Sequence, residues 1–266
     1  MDRERVYRGI REGYSRAADR GRGPGAAAIG RRIGYSDDEM DAVPAEANLG
    51  LGCGNPVALA DLRAGETVLD LGSGAGFDAL LAAREVGEGG RVIGVDITPA
   101  MAALARANAR AARDAGVAFL LGAMERLPVA DETIDVVISN CSINLSPAKE
   151  EVFREAFRVL RPGGRLLVSD IVMVARLPGR VRDSIVALDG RIAGAPSRDR
   201  YLALIARAGF AGIEVIGEAP FPVFCMANDP TAQAVLGDLA LTPGEIRATG
   251  SAIASIRVRA FRPTTE

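Results

Sequence analysis

One short stretch limits what this chain can fold into: Thr67–Gly76, with the sequence TVLDLGSGAG. An apolar-rich segment reaches an acid, Asp70, and the chain then passes three glycines before a helical pattern begins at Phe77. A second apolar segment, residues 91–96, ends in Asp96. Glycine lets the backbone approach a ligand in conformations that a Cβ forbids, and the start of a helix offers unpaired N–H groups. The pattern predicts a nucleoside-bearing cofactor at the carboxyl ends of parallel strands, with Asp96 on two ribose hydroxyls.

Alternating strand and helix patterns from residue 67 predict an α/β fold. Residues 68–71 and 135–139 are apolar on both faces, as a parallel sheet covered by helices requires. The predicted strands are 67–71, 91–95, 117–121, 134–139 and 165–171, followed by two late strands, 213–215 and 255–261. The predicted helices are 2–20, 77–86, 99–114 and 148–160, with shorter ones near 201–208 and 243–249.

These patterns divide the chain into three parts. Residues 1–60 form a helical segment and a glycine-rich loop, Asn48–Pro56, whose many glycines indicate a nearby ligand. The helix over 2–20 either packs on the domain or acts as a lid over the cofactor. Residues 61–175 form the Rossmann-like, cofactor-binding core. Residues 176–266 hold small insertions that cap the substrate side, together with the last two strands.

Composition excludes several classes of function. With 32 basic and 34 acidic residues the net charge is −2, which predicts no partnership with nucleic acid or an anionic membrane. The charged amino terminus is not a secretory signal and no apolar run could span a bilayer, so we expect a cytoplasmic protein. The chain has no histidine and three cysteines, which argues against a histidine-dependent hydrolase and a structural zinc site. The oligomeric state, monomer or homodimer, stays open.

Three kinds of nucleotide site compete for the opening stretch. A P-loop is excluded because no Lys-Ser/Thr follows the glycines. A nicotinamide-dependent dehydrogenase is disfavoured because the chain shows no Tyr-x-x-x-Lys pair and no histidine. The downstream segments GAMERLPVAD (122–131), DVVISN (135–140) and FRVLRPGGRLLVSD (157–170) favour the third kind.

With those segments the sequence resembles the class I S-adenosylmethionine-dependent methyltransferases. The resemblance implies a doubly wound, seven-stranded Rossmann-like sheet whose last strand is antiparallel. It implies S-adenosylmethionine as cofactor, S-adenosylhomocysteine as product and a small-molecule methyl acceptor. It places the methionine end beside Asp70, Gly72, Ser73 and Gly74, the ribose on Asp96, the adenine between Ile97 and Ala123, Met124 and Glu125, and the methyl-donor region beside Asn140.

A narrower resemblance covers nearly the whole chain. The segments RRIGYSDDEMDAVPAEANLGLGCGNP, VIGVDITPAM, ISNCSINLSPAKEEVFREAFRVLRPGGRL and SIRVRAFRP are similar to arsenite methyltransferases. Those enzymes bind trivalent arsenic through cysteine thiolates, and the arsenic lone pair attacks the methyl group of the sulfonium. By that resemblance Cys53 and Cys141 are candidate arsenic-binding thiolates.

The sequence also departs from that family. Its amino-terminal cysteine segment is replaced by GPGAAAIG (23–30), and Arg191 in RIAGA stands where a second arsenic-binding cysteine is expected. Cys225 lies outside the family's cysteine positions. Because one thiolate holds trivalent arsenic weakly and Arg191 introduces a fixed cation, the sequence favours an organic acceptor with a carbon or other soft nucleophile.

The residues predicted to act on that acceptor are Cys141, Asn140 and Arg191. Arsenite or methylarsenite as acceptor is the first alternative. A cofactor-binding protein without catalysis, such as a sensor or a partner subunit, is the alternative from another class.

Overall fold

A computed structural model describes residues 3–23, 25–113, 116–177, 179, 181, 195–221, 225, 228–230, 233 and 241–264. Its central feature is a seven-stranded sheet with the strand order β3-β2-β1-β4-β5-β7-β6. The strands are β1 Thr67–Leu71, β2 Arg91–Asp96, β3 Val117–Leu121, β4 Ile134–Asn140, β5 Leu160–Met173, β6 Ala211–Pro220 and β7 Ile253–Phe261. The predicted seven-stranded, doubly wound sheet is therefore confirmed.

Chain direction in the sheet follows the expected pattern. β1 pairs in parallel with β2 and β4, and the parallel set continues to β3 on one side and β5 on the other. β7 lies between β5 and β6 and is antiparallel to both. Strand order reverses at β1 and β4, so the carboxyl ends of these two strands border the crevice where open α/β sheets bind ligands.

Helices cover both faces of the sheet. The described helices are α1 Arg3–Arg20, α2 Ala26–Ile33, α3 Asp37–Asp41, α4 Phe77–Val86, α5 Pro99–Ala112, α6 Lys149–Val159, α7 Arg198–Arg207 and α8 Pro243–Ala252. Short 3₁₀ turns occur at Ala45–Ala47, Val57–Leu59 and Ile143–Leu145. One core cluster fills the space between the sheet and α6 and α7, and a second packs α4 and α5 on the other face. Strands β1 and β4 are buried on both faces because both clusters contact them.

Two predicted boundaries were wrong. The strand predicted at 165–171 begins at Leu160, because Leu160 already pairs with Ile134 of β4. The late strand predicted at 213–215 runs over Ala211–Pro220, because β7 offers a long antiparallel partner. Residues 217–220 therefore belong to the sheet, beyond the strand predicted at 213–215.

The amino-terminal helix packs against the core. Val6, Ile10, Tyr14 and Ala17 form its buried face, which lies in one apolar cluster with Met101 of α5. Among the helices that the structure describes, none combines the length and the apolar character needed to cross a bilayer.

Candidate cofactor cleft and thiol site

A cleft opens at the carboxyl ends of β1, β2 and β4, where open α/β sheets bind their ligands. Tyr7, Ile10 and Tyr14 of α1 lie on one side of it, and the loop Asn48–Gly52 lies on another. Both features were predicted from sequence, the loop as a ligand-binding segment and the helix as a packing element or a lid.

The glycine turn after β1 has the backbone shape that its sequence predicts. Gly72, Gly74 and Gly76 have φ values of 71°, 52° and 91°, in the left-handed region that favours glycine. A Cβ on Gly72 would lie 2.3 Å from the Cβ of Ser142. The turn therefore needs glycine at position 72 for both its conformation and its close contact.

Asp96 fixes this turn against β2. One of its carboxylate oxygens accepts a hydrogen bond from the Gly74 N–H (3.0 Å), and the other accepts one from the Thr98 N–H (2.7 Å). Each carboxylate oxygen can accept a second hydrogen bond. Asp96 is thus held at the cleft wall with acceptor capacity left for ligand hydroxyls.

Four carboxyl groups line the cleft: Asp70, Asp78, Asp96 and Glu125. Burial raises the pKa of Asp70, and the charges of Asp78 and Asp96 raise it further. Burial also raises the pKa of Asp96. Lysine and arginine are absent from the described residues that line the cleft. Because like charges repel in a poorly hydrated space, the cleft favours a ligand that carries positive charge.

Asp78 belongs to a buried network that the sequence did not reveal. The Tyr35 hydroxyl donates a hydrogen bond to Asp78 Oδ1, and Asn140 Nδ2 donates one to Asp78 Oδ2 (3.0 Å). Burial raises the pKa of Asp78 to about 6, although these two hydrogen bonds oppose the shift. Burial and the neighbouring Asp78 carboxylate raise the pKa of Tyr35 as well.

Asn140 joins this network to the glycine-rich loop. Its Nδ2 donates to the Gly54 carbonyl (2.8 Å), and its Oδ1 accepts from the Cys53 N–H (2.9 Å). A Cβ on Gly52 would lie 2.8 Å from Asn140 Nδ2, which explains the glycine there. Asn140 therefore lines the cleft and also holds the cysteine loop in place.

The remaining predicted cofactor residues are found near one another. Ile97, Met124 and Glu125 line the cleft together with Asp70, Gly72, Ser73 and Gly74. Glu125 accepts a short hydrogen bond from the Ser146 hydroxyl. Ala123 does not line the cleft; it pairs with Arg126 in the turn after β3.

The structure brings Cys53 and Cys141 together beside the cleft. Cys53 directly follows Gly52 and Cys141 directly follows Asn140, and both of these preceding residues line the cleft. The two Sγ atoms and a carboxylate oxygen of Asp170 all lie within 4.8 Å of one another, and all three residues are buried. The Cys53 thiol donates to the Ser169 carbonyl (3.4 Å), and the Cys141 N–H donates to the same carbonyl (2.8 Å).

The thiols lie in apolar surroundings, and the backbone of Cys141 has an unusual conformation. Cys141 has a φ of 60°, a left-handed conformation that is uncommon outside glycine. Cys53 and Cys141 share one buried cluster with Cys225, Ala195 and Phe221. Burial raises the pKa of the Cys225 thiol. Arg191, predicted to act on the acceptor, lies outside the described residues, although Ala195 of the same RIAGA segment belongs to this cluster.

Asp170 is the member of this site that sequence reasoning missed. Its Oδ1 accepts from Asn144 Nδ2 (2.7 Å) and from the Ile171 N–H (2.9 Å), and its Oδ2 accepts from the Tyr201 hydroxyl (3.0 Å). An acid within strand β5 is visible in the sequence. Its partner Tyr201 is distant in the chain, so no local pattern could place the carboxylate beside the thiols.

Comparisons with known proteins agree with this geometry. The model of a family described as a methyltransferase domain matches residues 62–209. An arsenite methyltransferase of Halobacterium salinarum is 52% identical over 184 residues, which cover 69% of this chain and 47% of that protein. An arsenite methyltransferase of Homo sapiens is 36% identical over 152 residues, which cover 54% of this chain and 40% of that protein. The chain thus spans about half the length of these relatives.

A solved structure gives more complete coverage. The crystal structure of an arsenic(III) S-adenosylmethionine methyltransferase from Chlamydomonas reinhardtii is 33% identical, with a TM-score of 0.64. The alignment covers 89% of this chain and 74% of that one.

Proposed function

Because the chain belongs to the arsenite methyltransferase family of class I S-adenosylmethionine-dependent methyltransferases, we propose that it transfers a methyl group from S-adenosylmethionine to a trivalent arsenical. The pair of thiols, Cys53 and Cys141, beside the cofactor cleft carries this proposal. Trivalent arsenic is a soft centre that prefers sulfur ligands. Two thiols at one site bind it far better than one, because the second bond forms at high effective concentration.

The cleft fits the family's cofactor on observations of its own. Asp70 Oδ2 and Ser73 Oγ are buried there without a protein hydrogen-bond partner, so a ligand can satisfy them. The acidic lining suits a ligand with a sulfonium and an ammonium group. Gly74 leaves open space beside the backbone, since a Cβ there would meet no atom within 4 Å. Asp96 offers acceptors for two hydroxyls. When bound, S-adenosylmethionine supplies a methyl group that its sulfonium charge activates.

The chain's own residues position the acceptor and exclude water. Asn140 anchors the Cys53 backbone with one amide atom and the adjacent Gly54 carbonyl with the other. The Ser255 hydroxyl donates to the Cys53 carbonyl (2.6 Å), which fixes the loop from its other side. Alignment of donor and acceptor in a dry site accounts for much of the rate of such transfers. An arsenical has its own lone pair and needs no base, which agrees with a chain without histidine.

An organic acceptor is the second candidate. Arg191 replaces a family cysteine and could pair with a carboxylate or phosphate on an organic molecule. The sequence alone favours this acceptor, because Arg191 stands at the position of a second arsenic-binding cysteine. The position of Cys53 next to Cys141 supplies a second thiol by another route and supports the arsenical instead.

A product assay separates these candidates. The purified protein is incubated with S-adenosylmethionine, a reducing thiol and either arsenite, methylarsenite or a panel of indoles and phenols, and products are identified by mass spectrometry. We expect methylated arsenicals, at least tenfold fewer with Cys141→Ser, and unchanged yield with Cys225→Ser. Methylation of an organic acceptor alone, unaffected by Cys141→Ser, would contradict the proposal. Cofactor binding without any methylated product would favour a sensor or partner subunit.

A further inference from the structure

The thiol site contains a third ligand atom that trivalent arsenic does not require. Asp170 places a carboxylate oxygen within 4.8 Å of both Sγ atoms. Hydrogen bonds from Asn144, Tyr201 and the Ile171 N–H fix the two oxygens of Asp170 in this position beside the thiols. The site is therefore a buried, preorganised S₂O donor set.

This donor set has an electrostatic requirement. Two thiolates and a carboxylate would bring three negative charges into a cluster lined by Ile171, Phe221 and Ile253. Such charges repel strongly where water is excluded, and a bound divalent cation reverses that repulsion. The Lys149 ammonium attracts the Asp170 carboxylate electrostatically. Its hydrogen bond goes to the Ser146 carbonyl (2.8 Å), and one positive charge offsets only part of three negative ones.

We propose that Cys53, Cys141 and Asp170 bind a thiophilic divalent cation of the zinc and cadmium class. Zn²⁺ takes cysteine sulfur and carboxylate oxygen together, and three protein ligands leave a fourth position open. Tetrahedral coordination would place neighbouring ligand atoms roughly 3.5–4 Å apart. From a spacing of at most 4.8 Å, each pair of ligand atoms would have to approach by roughly 1.3 Å at most.

The third ligand, Asp170, makes the site bind this divalent cation differently from the arsenical. A carboxylate is a hard donor that adds affinity for a divalent ion and little for trivalent arsenic. A cation held by both thiols would also keep an acceptor from them, so Zn²⁺ should inhibit methyl transfer. The inference concerns binding at the thiol site and does not depend on which acceptor the protein methylates.

Cadmium titration of the full chain tests this proposal directly. Reduced, metal-stripped protein is titrated with Cd²⁺ while the ultraviolet thiolate-to-metal absorption is recorded. We expect one ion per chain, loss of most of the band with Cys53→Ser or Cys141→Ser, and at least tenfold weaker binding with Asp170→Asn. The band should persist in Asp170→Asn, because both thiols remain.

Two further variants serve as controls for the titration. Cys225→Ser removes a buried cysteine outside the triad and should retain both band and affinity. Tyr201→Phe removes one hydrogen bond to Asp170 but no ligand, and should change the affinity less than threefold. Each variant is used only after its thermal unfolding shows a folded protein. Unchanged affinity in Asp170→Asn, or loss of the band in Cys225→Ser, would overturn the assignment.

Discussion

Asp78 offers a quantitative test of the electrostatics of the cleft. This carboxyl is buried, faces Asp70, and accepts hydrogen bonds from Tyr35 and Asn140. Its pKa of about 6, against 3.8 for an ordinary aspartate, means that ionised Asp78 costs roughly 3 kcal/mol in the folded protein. Asp78→Asn removes this cost and loses about 1 kcal/mol of hydrogen bonding to Asn140. The variant should therefore be about 2 kcal/mol more stable at about pH 8.

The sign of the pH dependence follows from proton linkage. The folded state binds the Asp78 proton more tightly than the unfolded chain does, so this group favours folding at low pH. That contribution is lost as the pH rises from about 4 to about 6. Below about pH 4 both states are mostly protonated, and Asp78→Asn should then be slightly less stable than the native sequence.

Urea unfolding of both proteins at about pH 4 and about pH 8 measures this difference. The stability gap should change by roughly 2–3 kcal/mol between the two conditions, from about 2 kcal/mol in favour of the variant at about pH 8 to slightly against it at about pH 4. The same variant should bind S-adenosylmethionine several-fold more weakly at the higher pH, because the cleft loses a negative charge. A destabilisation of the same size at both pH values would refute the reasoning, since it would show a hydrogen-bonding role without an ionisation cost.

Three further outcomes follow from other contacts. Gly72→Ala should destabilise the fold by about 3 kcal/mol in urea, because Gly72 has a left-handed φ and its Cβ would contact Ser142. The control Gly21→Ala should cost about 1 kcal/mol, because Gly21 also has a left-handed φ (67°) but open space beside it. Glu66→Gln should cost about 2 kcal/mol near neutral pH and little in acid, because Arg165 hydrogen bonds lower the pKa of Glu66 against the opposing effect of burial. Asp96→Asn should weaken S-adenosylmethionine binding at least tenfold by calorimetry, with unaltered affinity counting against the ribose assignment.

The sheet and the cofactor turn could be predicted because their signals are local. Continuous apolar runs predict that β1 and β4 are buried on both faces, and Gly72, Gly74 and Gly76 predict the left-handed conformation of the turn. The start of β5 could not be predicted, because Pro162-Gly163-Gly164 is ordinarily a stop signal. Here the Gly163 N–H donates to the Arg262 carbonyl, and the Arg262 N–H donates to the Gly164 carbonyl. Tertiary pairing thus carries the strand through a turn-like sequence.

The candidate site was predictable only where one motif supplies it. Asp70, Asp96 and Asn140 lie at the carboxyl ends of β1, β2 and β4, so the sequence could assign them to one edge of the sheet. The Tyr35–Asp78 hydrogen bond joins residues 43 positions apart, and Asp170 meets Tyr201 across 31 positions. Such long-range pairs leave no periodic pattern. The convergence of Cys53 with Cys141, 88 positions later, was for the same reason only a possibility at the level of sequence.

X-ray absorption at the arsenic edge tests the central claim, that Cys53 and Cys141 hold the acceptor together. Phenylarsine oxide is a suitable probe, because two thiols bind its trivalent arsenic and its oxide oxygen leaves as one water molecule. The account predicts two sulfur ligands per arsenic in the native protein and in Cys225→Ser, and at most one in Cys141→Ser or Cys53→Ser. An arsenic shell without sulfur in the native protein, or two sulfur ligands that persist when Cys53 and Cys141 are both replaced, would contradict it.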